Sequence, residues 1–522
     1  MLGLACISTT RTRRGLRAPP RQLFNLVCLS IKKKKAIGFF RDNNKIIIKG
    51  NSYFCGQGKS KQILAKHYNI GIADADLLDG GTRHPNLALL KIAGFLHDNN
   101  IEFHLIEDSN ADVSGFDYIY MSKVFTFTRD PLFLSQCHLT KKPRIRMGGT
   151  GGYATEKNIL KFRKARGKDM SMLEEDPFLN RFLNHCGGDK VNGIDMARQM
   201  PYYHLYDHFV YGKIANGAKR SHYKDYLDYS IGFLTRGCFR HCPFCVNKLE
   251  DTITKYSEIS WFYDKERPFI YLWDDNFLAA KKEIWKPLLQ ELIDTGRPFQ
   301  FRQGLDERII AEHEDGEEIA EMLSKSKYHG DYIFAFDNWR DRDKIVKALK
   351  IWKYYNPRRI TKFYLFCGFM LKDGDKEHLY KDIWELFHRI KILMQYGCLG
   401  YVMRHADYKN YTTNNLSNIY VQIARWCNQP QFFKKMSFWE YVYRNQSYYE
   451  QTSLEMDVPD IKSYEEYVAD VEAGEYDGIK TCNTLRTLLN VLTTFPEHKE
   501  ELLEMFNYKM MDLVDPTLWE RK

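Results

Sequence analysis

The sequence has no apolar segment long enough to cross a bilayer as a helix. The apolar run at residues 23–31 is interrupted by Asn25 and Ser30. It falls well short of the roughly 20 residues that a membrane-spanning helix needs. No other segment of the 522 residues qualifies. We therefore expect a soluble, cytoplasmic protein that has no membrane partner.

Acidic residues are missing from the first 41 positions. Residues 1–50 contain twelve Lys or Arg and one acid, Asp42, so this segment carries a charge of +11. Because the whole chain carries +10, the remaining residues, 51–522, carry about −1. An Arg-rich, acid-poor composition is typical of solvated tails and transit peptides, which predicts a basic, disordered segment over 1–50. The nearly neutral remainder gives no argument for nucleic-acid binding from charge alone, and nucleic acid stays open as a partner.

The chain has twelve cysteines but only one close group of them. Cys238, Cys242 and Cys245 form a C-x3-C-x2-C motif, and no second C-x2-C occurs anywhere in the sequence. Thiolates are soft ligands that suit either zinc or an iron–sulfur cluster. Structural zinc sites usually combine two such knuckles into four ligands, although His241 lies inside this motif as a further ligand candidate. Both interpretations stay open, and the missing partner knuckle favours a three-cysteine cluster.

Strand and helix patterns alternate in two parts of the chain. Residues 65–155 contain four strand-like segments with a helix pattern after the first, which predicts a Rossmann-like α/β domain. Residues 229–428 repeat a strand–helix unit six times, with strands starting near residues 230, 269, 299, 332, 362 and 399. Six such units predict a partial (β/α)6 TIM-like barrel. We expect residues 156–228 to connect these domains and residues 429–522 to form a helical extension.

The cysteine motif follows the first of these six strands directly. Gly237 precedes the first cysteine, and an aromatic residue, Phe244, precedes the third. Together with the six strand–helix units, this pattern resembles the radical S-adenosylmethionine (SAM) superfamily. The resemblance implies that the three cysteines hold one [4Fe–4S] cluster, that SAM binds its fourth iron, and that Phe244 lies beside these cofactors. It also implies an electron donor such as flavodoxin or ferredoxin, and reductive cleavage of SAM to a 5′-deoxyadenosyl radical that acts on a substrate. The substrate and any catalytic side chain stay unknown.

Polar residues follow several of the predicted strands, at the ends where barrel enzymes carry their functional side chains. The second strand is followed by Asp274, Asp275 and Asn276, where family members place a polar motif that holds the SAM amino group. The Gly-Gly-Glu form of that motif is absent, and a turn with side-chain capping is the alternative. Later strands are followed by Arg302, Gln303, Asp337 and Arg404. The resemblance implies that the arginines contact the SAM carboxylate or a substrate anion, and that the other two contact ribose or methionine. Each alone is also compatible with a structural hydrogen bond.

The Rossmann-like domain ahead of the barrel resembles the cobalamin-associated branch of the same superfamily. The Asp-x-His-x-x-Gly motif that supplies the cobalt ligand in that branch is absent from the chain, which argues against cobalamin as a cofactor without excluding it. Methyl or methylthio transfer is an alternative reaction within the superfamily. A non-catalytic zinc- or nucleic-acid-binding protein is the alternative from another class.

Overall fold

The computed structural model divides into two compact units, Met1–Phe299 and Gln300–Lys522. It describes residues 38–42, 45–49, 68–82, 84–125, 127–140, 143–149, 190–191, 194–195, 198–245, 252–446, 461–473 and 483–520. Within the basic segment expected to be disordered, strands β1 (Gly38–Asp42) and β2 (Lys45–Lys49) form an antiparallel pair. The rest of that segment, and most of the predicted connection up to residue 189, lie outside the described residues. Among the described helices, none combines the length and apolarity that a bilayer span requires.

A four-stranded parallel sheet forms the core of the first unit, which confirms the α/β pattern predicted for residues 65–155. Its strands are β3 (Ile70–Asp74), β4 (Phe103–Leu105), β5 (Tyr118–Ser122) and β6 (Arg144–Gly148). Their order is β4-β3-β5-β6, so β3 and β5 are central and every residue of both is buried. The helices described between these strands are α1 (Ala75–Gly80), α2 (Leu87–Asp98) and α3 (Phe133–Thr140).

The segment predicted to connect the two domains contributes to this core. Tyr203, Tyr206 and Tyr226 pack in one apolar cluster with β3 and α2. Gly94 of α2 permits this packing, because a β-carbon there would lie 2.0 Å from the carbonyl oxygen of Met200. The elements of this segment are β7 (Lys190–Val191), β8 (Ile194–Asp195), α4 (Asp207–Ala215) and α5 (Lys224–Leu227).

The first strands of the predicted barrel also lie in the first unit. They are β9 (Tyr229–Gly232), the short antiparallel pair β10 (Thr235–Arg236) and β11 (Thr254–Lys255), then β12 (Phe269–Leu272), helix α6 (Lys282–Asp294) and β13 (Phe299–Phe301) at the unit boundary. β9 and β12 pair in parallel. Gly232 is required at the end of β9, because a β-carbon there would lie 2.3 Å from the ring of Phe262.

The second unit contains another parallel sheet, of order β14-β15-β16. Its elements are α7 (Arg308–Glu312), α8 (Gly316–Lys325), β14 (Tyr332–Ala335), α9 (Arg342–Tyr355), β15 (Thr361–Cys367), α10 (Lys376–Gln395) and β16 (Leu399–Arg404). The six strands predicted for residues 229–428 are all present, each starting within one residue of its predicted position. The chain is therefore a mixed α/β protein with parallel sheets.

The carboxyl ends of two strands in this second sheet are tied together by one buried arginine. Arg389 of α10 is 1% exposed and donates hydrogen bonds to the carbonyl oxygens of Phe336 (2.8 Å) and Phe366 (3.0 Å). Because buried carbonyl groups need a hydrogen-bond donor, this contact satisfies the backbone where β14 and β15 end. It positions the residues that follow these two strands.

The described part of residues 429–520 is helical, as predicted. After α11 (Asn418–Cys427), the helices are α12 (Pro430–Lys435), α13 (Phe438–Gln446), α14 (Tyr464–Glu472), α15 (Asn483–Thr494), α16 (Lys499–Phe506) and α17 (Met510–Leu513). Glu501 of α16 fastens this region to α10, since its carboxylate accepts hydrogen bonds from the Trp384 indole N–H (2.7 Å) and the Tyr380 hydroxyl.

We expect Glu307, just before α7, to make the free energy of unfolding depend on pH. Its side chain is fully buried, and neither carboxyl oxygen has a hydrogen-bond partner among the described residues. Burial, with a smaller contribution from Asp306, raises the pKa of Glu307 well above its usual value. The folded state therefore keeps a proton that the unfolded chain releases near pH 4.3, roughly the ordinary glutamate pKa. The stabilisation that this proton gives is complete below that pH and is lost as pH rises toward the folded-state pKa.

We predict that Glu307→Gln reduces this pH dependence, because the amide does not titrate. Urea unfolding between pH 5 and pH 8 should show the stability of the variant rising relative to the wild type as pH increases. Glu314→Gln, at an exposed position of the same segment, should follow the wild type. Parallel curves for Glu307→Gln and the wild type would show that Glu307 is not held protonated.

Candidate functional site

The three clustered cysteines lie in the loop that leaves β10. Cys238, Cys242 and Cys245 form no disulfide, and all three are half-buried. The loop closes in a turn, since the backbone N–H of Cys245 donates to the carbonyl oxygen of Cys242 (3.0 Å). Half-buried Phe244 lies within this turn. The motif therefore forms one short loop beyond the carboxyl end of a parallel strand.

Asp274 holds the start of this loop in place. Its carboxylate, 2% exposed, accepts hydrogen bonds from the backbone N–H groups of Leu234 (3.1 Å) and Thr235 (2.5 Å). It also accepts one from the Thr235 hydroxyl (2.7 Å). Burial raises the pKa of Asp274 to about 6, while these hydrogen bonds act in the opposite direction. The carboxylate oxygens thus face the loop backbone, which is a structural use of a residue predicted to contact SAM.

The next two residues contact the loop closer to the cysteines. Asp275 accepts a hydrogen bond from the backbone N–H of Gly237 (3.1 Å), and Asn276 donates its amide N–H toward the sulfur of Cys238 (3.5 Å). Hydrogen bonds to cluster sulfurs are one of the ways in which proteins tune iron–sulfur centres. Successive residues of the Asp-Asp-Asn triplet therefore contact successive parts of the loop, from its first backbone amides to its first thiol.

Two residues with positive φ precede the first two cysteines. Gly237 has φ 103° and stands before Cys238, while His241 has φ 51° and stands before Cys242. Glycine adopts such a conformation without cost, but another residue type pays of order 1 kcal/mol or more unless its surroundings enforce it. Strain of this kind concentrates at functional sites. The positive φ therefore turns the backbone immediately before each of two candidate ligands.

Arg236 is a buried charge beside the loop that the sequence did not single out. It is 2% exposed, its guanidinium lies 4.1 Å from the centre of the Phe233 ring, and one nitrogen lies 3.9 Å from an Asp275 oxygen. The Asp275 carboxylate offsets part of this charge, and the pair lies beside the part of the loop that leads to Cys238. In the sequence, only the position of Arg236, two residues before the first cysteine, could have indicated that it belongs to the site.

The donor chemistry of the loop suits an iron–sulfur cluster. Three thiols within eight residues, none of them in a disulfide, offer the soft ligands that such a cluster takes. In the part of the chain that the structure describes, no group of three or more His, Cys, Asp or Glu side chains is already arranged to hold a metal ion. The fit therefore rests on the donor set and on how the loop is held.

The other predicted contact residues lie in the second unit. Arg302 is half-buried and donates to the Gln300 side-chain oxygen (3.3 Å), and the neighbouring Gln303 is half-buried as well. Exposed Arg404 ends β16 and donates to the Tyr408 hydroxyl (3.3 Å).

Asp337 follows β14 at the same sheet edge as Arg404. Burial raises the pKa of Asp337 to about 6, opposed by the charges of Arg389 and Arg308. Since β15 lies between β14 and β16, the ends of the two outer strands are about 10 Å apart. Within this unit, the structure therefore places Asp337 and Arg404 at the same edge of the sheet, at the ends of its two outer strands.

The parallel sheet of the N-terminal domain has its topological switch point between β3 and β5, where such sheets usually bind ligands. Side chains of the protein cross this position. The Tyr206 hydroxyl donates to the carboxylate of Asp74 (2.8 Å) and accepts from the backbone N–H of Asn86 (3.2 Å). The Asn86 amide donates to the hydroxyl of Ser122 (2.8 Å). Asp74 and Ser122 are the last residues of β3 and β5, so the ends of both strands are linked by internal hydrogen bonds.

No family model matches this sequence, and neither does any curated protein.

We predict that Asp274→Ala lowers the free energy of unfolding by about 3 kcal/mol. The substitution leaves the buried amides of Leu234 and Thr235 without an acceptor, and each such loss costs roughly 1–3 kcal/mol. Urea unfolding measures the change. Asp294→Ala, at an exposed position of α6, should stay within about 0.5 kcal/mol of the wild type. A loss of that small size in Asp274→Ala would show that the carboxylate does not hold the loop.

Proposed function

We propose that this protein is a radical SAM enzyme whose single [4Fe–4S] cluster is held by Cys238, Cys242 and Cys245. The observation that carries the proposal is the three-thiol loop beyond β9, held by the residues that follow the neighbouring parallel strand. When bound, the cluster and SAM would supply a 5′-deoxyadenosyl radical that abstracts hydrogen from a substrate. The substrate is not identified, and electrons would come from a donor such as flavodoxin or ferredoxin.

The proposal includes a partial (β/α)6 barrel formed by β9, β12, β13, β14, β15 and β16. Support comes from the parallel pairing of β9 with β12 and of β14 with β15 and β16. A described helix follows each of β12, β13, β14 and β15 before the next strand begins. After β9, the cysteine loop region takes this place. In such a barrel, functional groups gather at the carboxyl ends of the strands, where all the candidate residues occur.

In this proposal, some residues shape the cysteine loop and others bind the cofactor. Asp274 holds the backbone of the loop, and Asn276 directs an N–H toward the Cys238 sulfur. For contact with SAM we propose Phe244, which lies within the cysteine loop, and Asp275, which accepts from the backbone N–H of Gly237 beside Cys238. Because the Asp274 carboxylate is already surrounded by loop donors, we assign it a positioning role.

For the anionic and ribose groups of SAM or substrate we propose Arg302, Gln303, Asp337 and Arg404. The arginines offer paired N–H donors that match a carboxylate. For the N-terminal domain we propose a scaffold role without cobalamin. The hydrogen bonds that Tyr206 and Asn86 make across its switch point support this, together with the missing cobalt-ligand motif.

The direct test is anaerobic reconstitution with iron and sulfide, followed by SAM and a reductant. We predict about four irons per chain and formation of 5′-deoxyadenosine in the wild type. Cys242→Ala should lose both, because a cluster held by two thiolates in place of three is not retained. Cys427→Ala, which removes a buried thiol of α11, should retain iron and activity. Tight stoichiometric zinc without SAM cleavage would contradict the proposal and favour a zinc-binding protein.

A second variant separates the cluster from a Cys3His zinc site. His241→Gly keeps the left-handed backbone that the loop adopts, because glycine takes φ 51° freely, and it removes the imidazole. If iron is held by the cysteines alone, we predict that His241→Gly binds as much iron as the wild type. A loss of bound metal comparable to that of Cys242→Ala would instead identify His241 as a ligand.

A further inference from the structure

The cysteine loop exposes two of its residues, and both are apolar. Among residues 238–245, Phe239 and Pro243 are exposed, while the others are half-buried. Phe239 is 38% exposed and directly follows Cys238, and Pro243 directly follows Cys242. Because consecutive Cα atoms are about 3.8 Å apart, each exposed residue lies next to a candidate cluster ligand. The exposed part of the loop is therefore apolar and adjacent to two of the thiols.

A cationic side chain lies over the exposed ring. The central carbon of the Arg240 guanidinium is 4.6 Å from the centre of the Phe239 ring, which is within the range of a cation–π contact. Arg240 is half-buried, so part of its side chain is open to solvent beside the ring. Aromatic side chains and arginine are enriched where proteins contact each other. The Phe239–Arg240 pair therefore has the composition of a small protein-binding surface.

The two carboxylates that hold the start of the loop are buried. Asp274 is 2% exposed, and the side chain of Asp275 is 8% exposed. Both accept hydrogen bonds from the loop backbone. A partner that approaches the loop from solvent would therefore meet the guanidinium of Arg240 rather than these two acids. This arrangement favours a partner with a negatively charged surface.

We propose that Phe239 and Arg240 form the surface on which an acidic one-electron carrier protein, of the flavodoxin or ferredoxin type, docks to reduce the cluster. The inference rests on the proposed radical SAM function, because that function requires a redox centre at the three cysteines. In the step that docking permits, the carrier is oxidised by one electron and the cluster is reduced by one. No atom is transferred and no bond is broken.

The position of Phe239 suits this role because electron transfer through protein slows steeply with distance. A carrier therefore has to bind close to the centre that it reduces. Phe239 is joined to Cys238 by one peptide bond, so a protein that covers this ring comes close to a candidate cluster ligand. Complexes of electron carriers use small interfaces that dissociate readily. One exposed ring with one neighbouring cation fits an interface of that size.

The test compares two reductants on the reconstituted full chain. Dithionite is a small anion that needs no docking surface, whereas reduced flavodoxin has to bind. We predict that Phe239→Ala raises the flavodoxin concentration for half-maximal formation of 5′-deoxyadenosine about tenfold or more, as for a central interface side chain. With dithionite, the variant should stay within about twofold of the wild type, as for a surface substitution. Its iron content should be unchanged.

Direct binding gives a readout that does not depend on SAM cleavage. Fluorescence anisotropy of labelled flavodoxin, titrated with the reconstituted protein, should show a similar loss of affinity in Phe239→Ala. Arg240→Gln should weaken binding at low salt and flatten the dependence of affinity on salt, because it removes a charge that attracts the acidic carrier. Matched controls are Phe127→Ala, at a ring that is 75% exposed, and Arg340→Gln, at an exposed position. Both should bind flavodoxin as the wild type does.

Three results would overturn the docking proposal. The first is flavodoxin affinity within about twofold of the wild type in both Phe239→Ala and Arg240→Gln. The second is an equal loss of dithionite-driven and flavodoxin-driven cleavage in a Phe239→Ala protein that keeps its iron, which would assign Phe239 to the cofactor site. The third is a wild type that cleaves SAM with dithionite but with neither flavodoxin nor ferredoxin.

The dithionite measurement separates failure of this inference from failure of the proposed function. A reconstituted wild type that does not cleave SAM with dithionite would contradict the radical SAM proposal itself. If Phe239→Ala retains less iron than the wild type, the Arg240→Gln measurement decides in its place. Self-association that Phe239→Ala abolishes, with flavodoxin affinity unchanged, would show that the surface binds a second copy of the chain instead.

Discussion

The geometry of the cysteine loop depends on the carboxylate of Asp274. Its oxygens are almost fully buried and receive N–H and O–H donors from Leu234 and Thr235, just after β9 ends. A buried carboxylate is stable only where donors surround it, so the residue and the loop specify each other. The contact joins the end of β12 to the start of the segment that carries Cys238.

Residues before and after this contact in the chain also shape the path of the loop. Gly232 lets β9 pass close to Phe262, two residues before Leu234, whose N–H donates to Asp274. Beyond it, Asp275 holds the amide of Gly237, whose positive φ turns the backbone before the first cysteine. The strained conformation of His241 repeats that turn before the second. Parallel strand pairing, a triplet of polar side chains and two left-handed residues therefore act together to shape one short loop.

Much of the fold could be predicted because its signals are local. Strand starts at residues such as Phe269 and Leu399 follow from short apolar runs bounded by polar turns, and the structure places them where expected. The helical character of the C-terminal region follows from the same kind of pattern. The closure of six strands into a barrel is a long-range property that local periodicity does not specify, and it stays a prediction.

The individual roles of site residues were harder to predict from the sequence. A polar triplet after a strand can bind a ligand or satisfy backbone donors, and the choice depends on a distant segment, here the amides near Thr235. The packing of Tyr206 into the N-terminal core was also not predicted, because the tyrosine-rich segment around it has no helical or strand period. That segment was expected only to connect domains.

The central claim is that three cysteines hold a cluster in which one iron lacks a protein ligand. Mössbauer spectroscopy of the iron-57-reconstituted protein, before and after addition of SAM, tests it most directly. The account predicts that SAM changes the signal of about one iron in four, because three irons keep their cysteine ligands. Four irons that respond alike, or a protein that takes up zinc in place of the cluster, would contradict it.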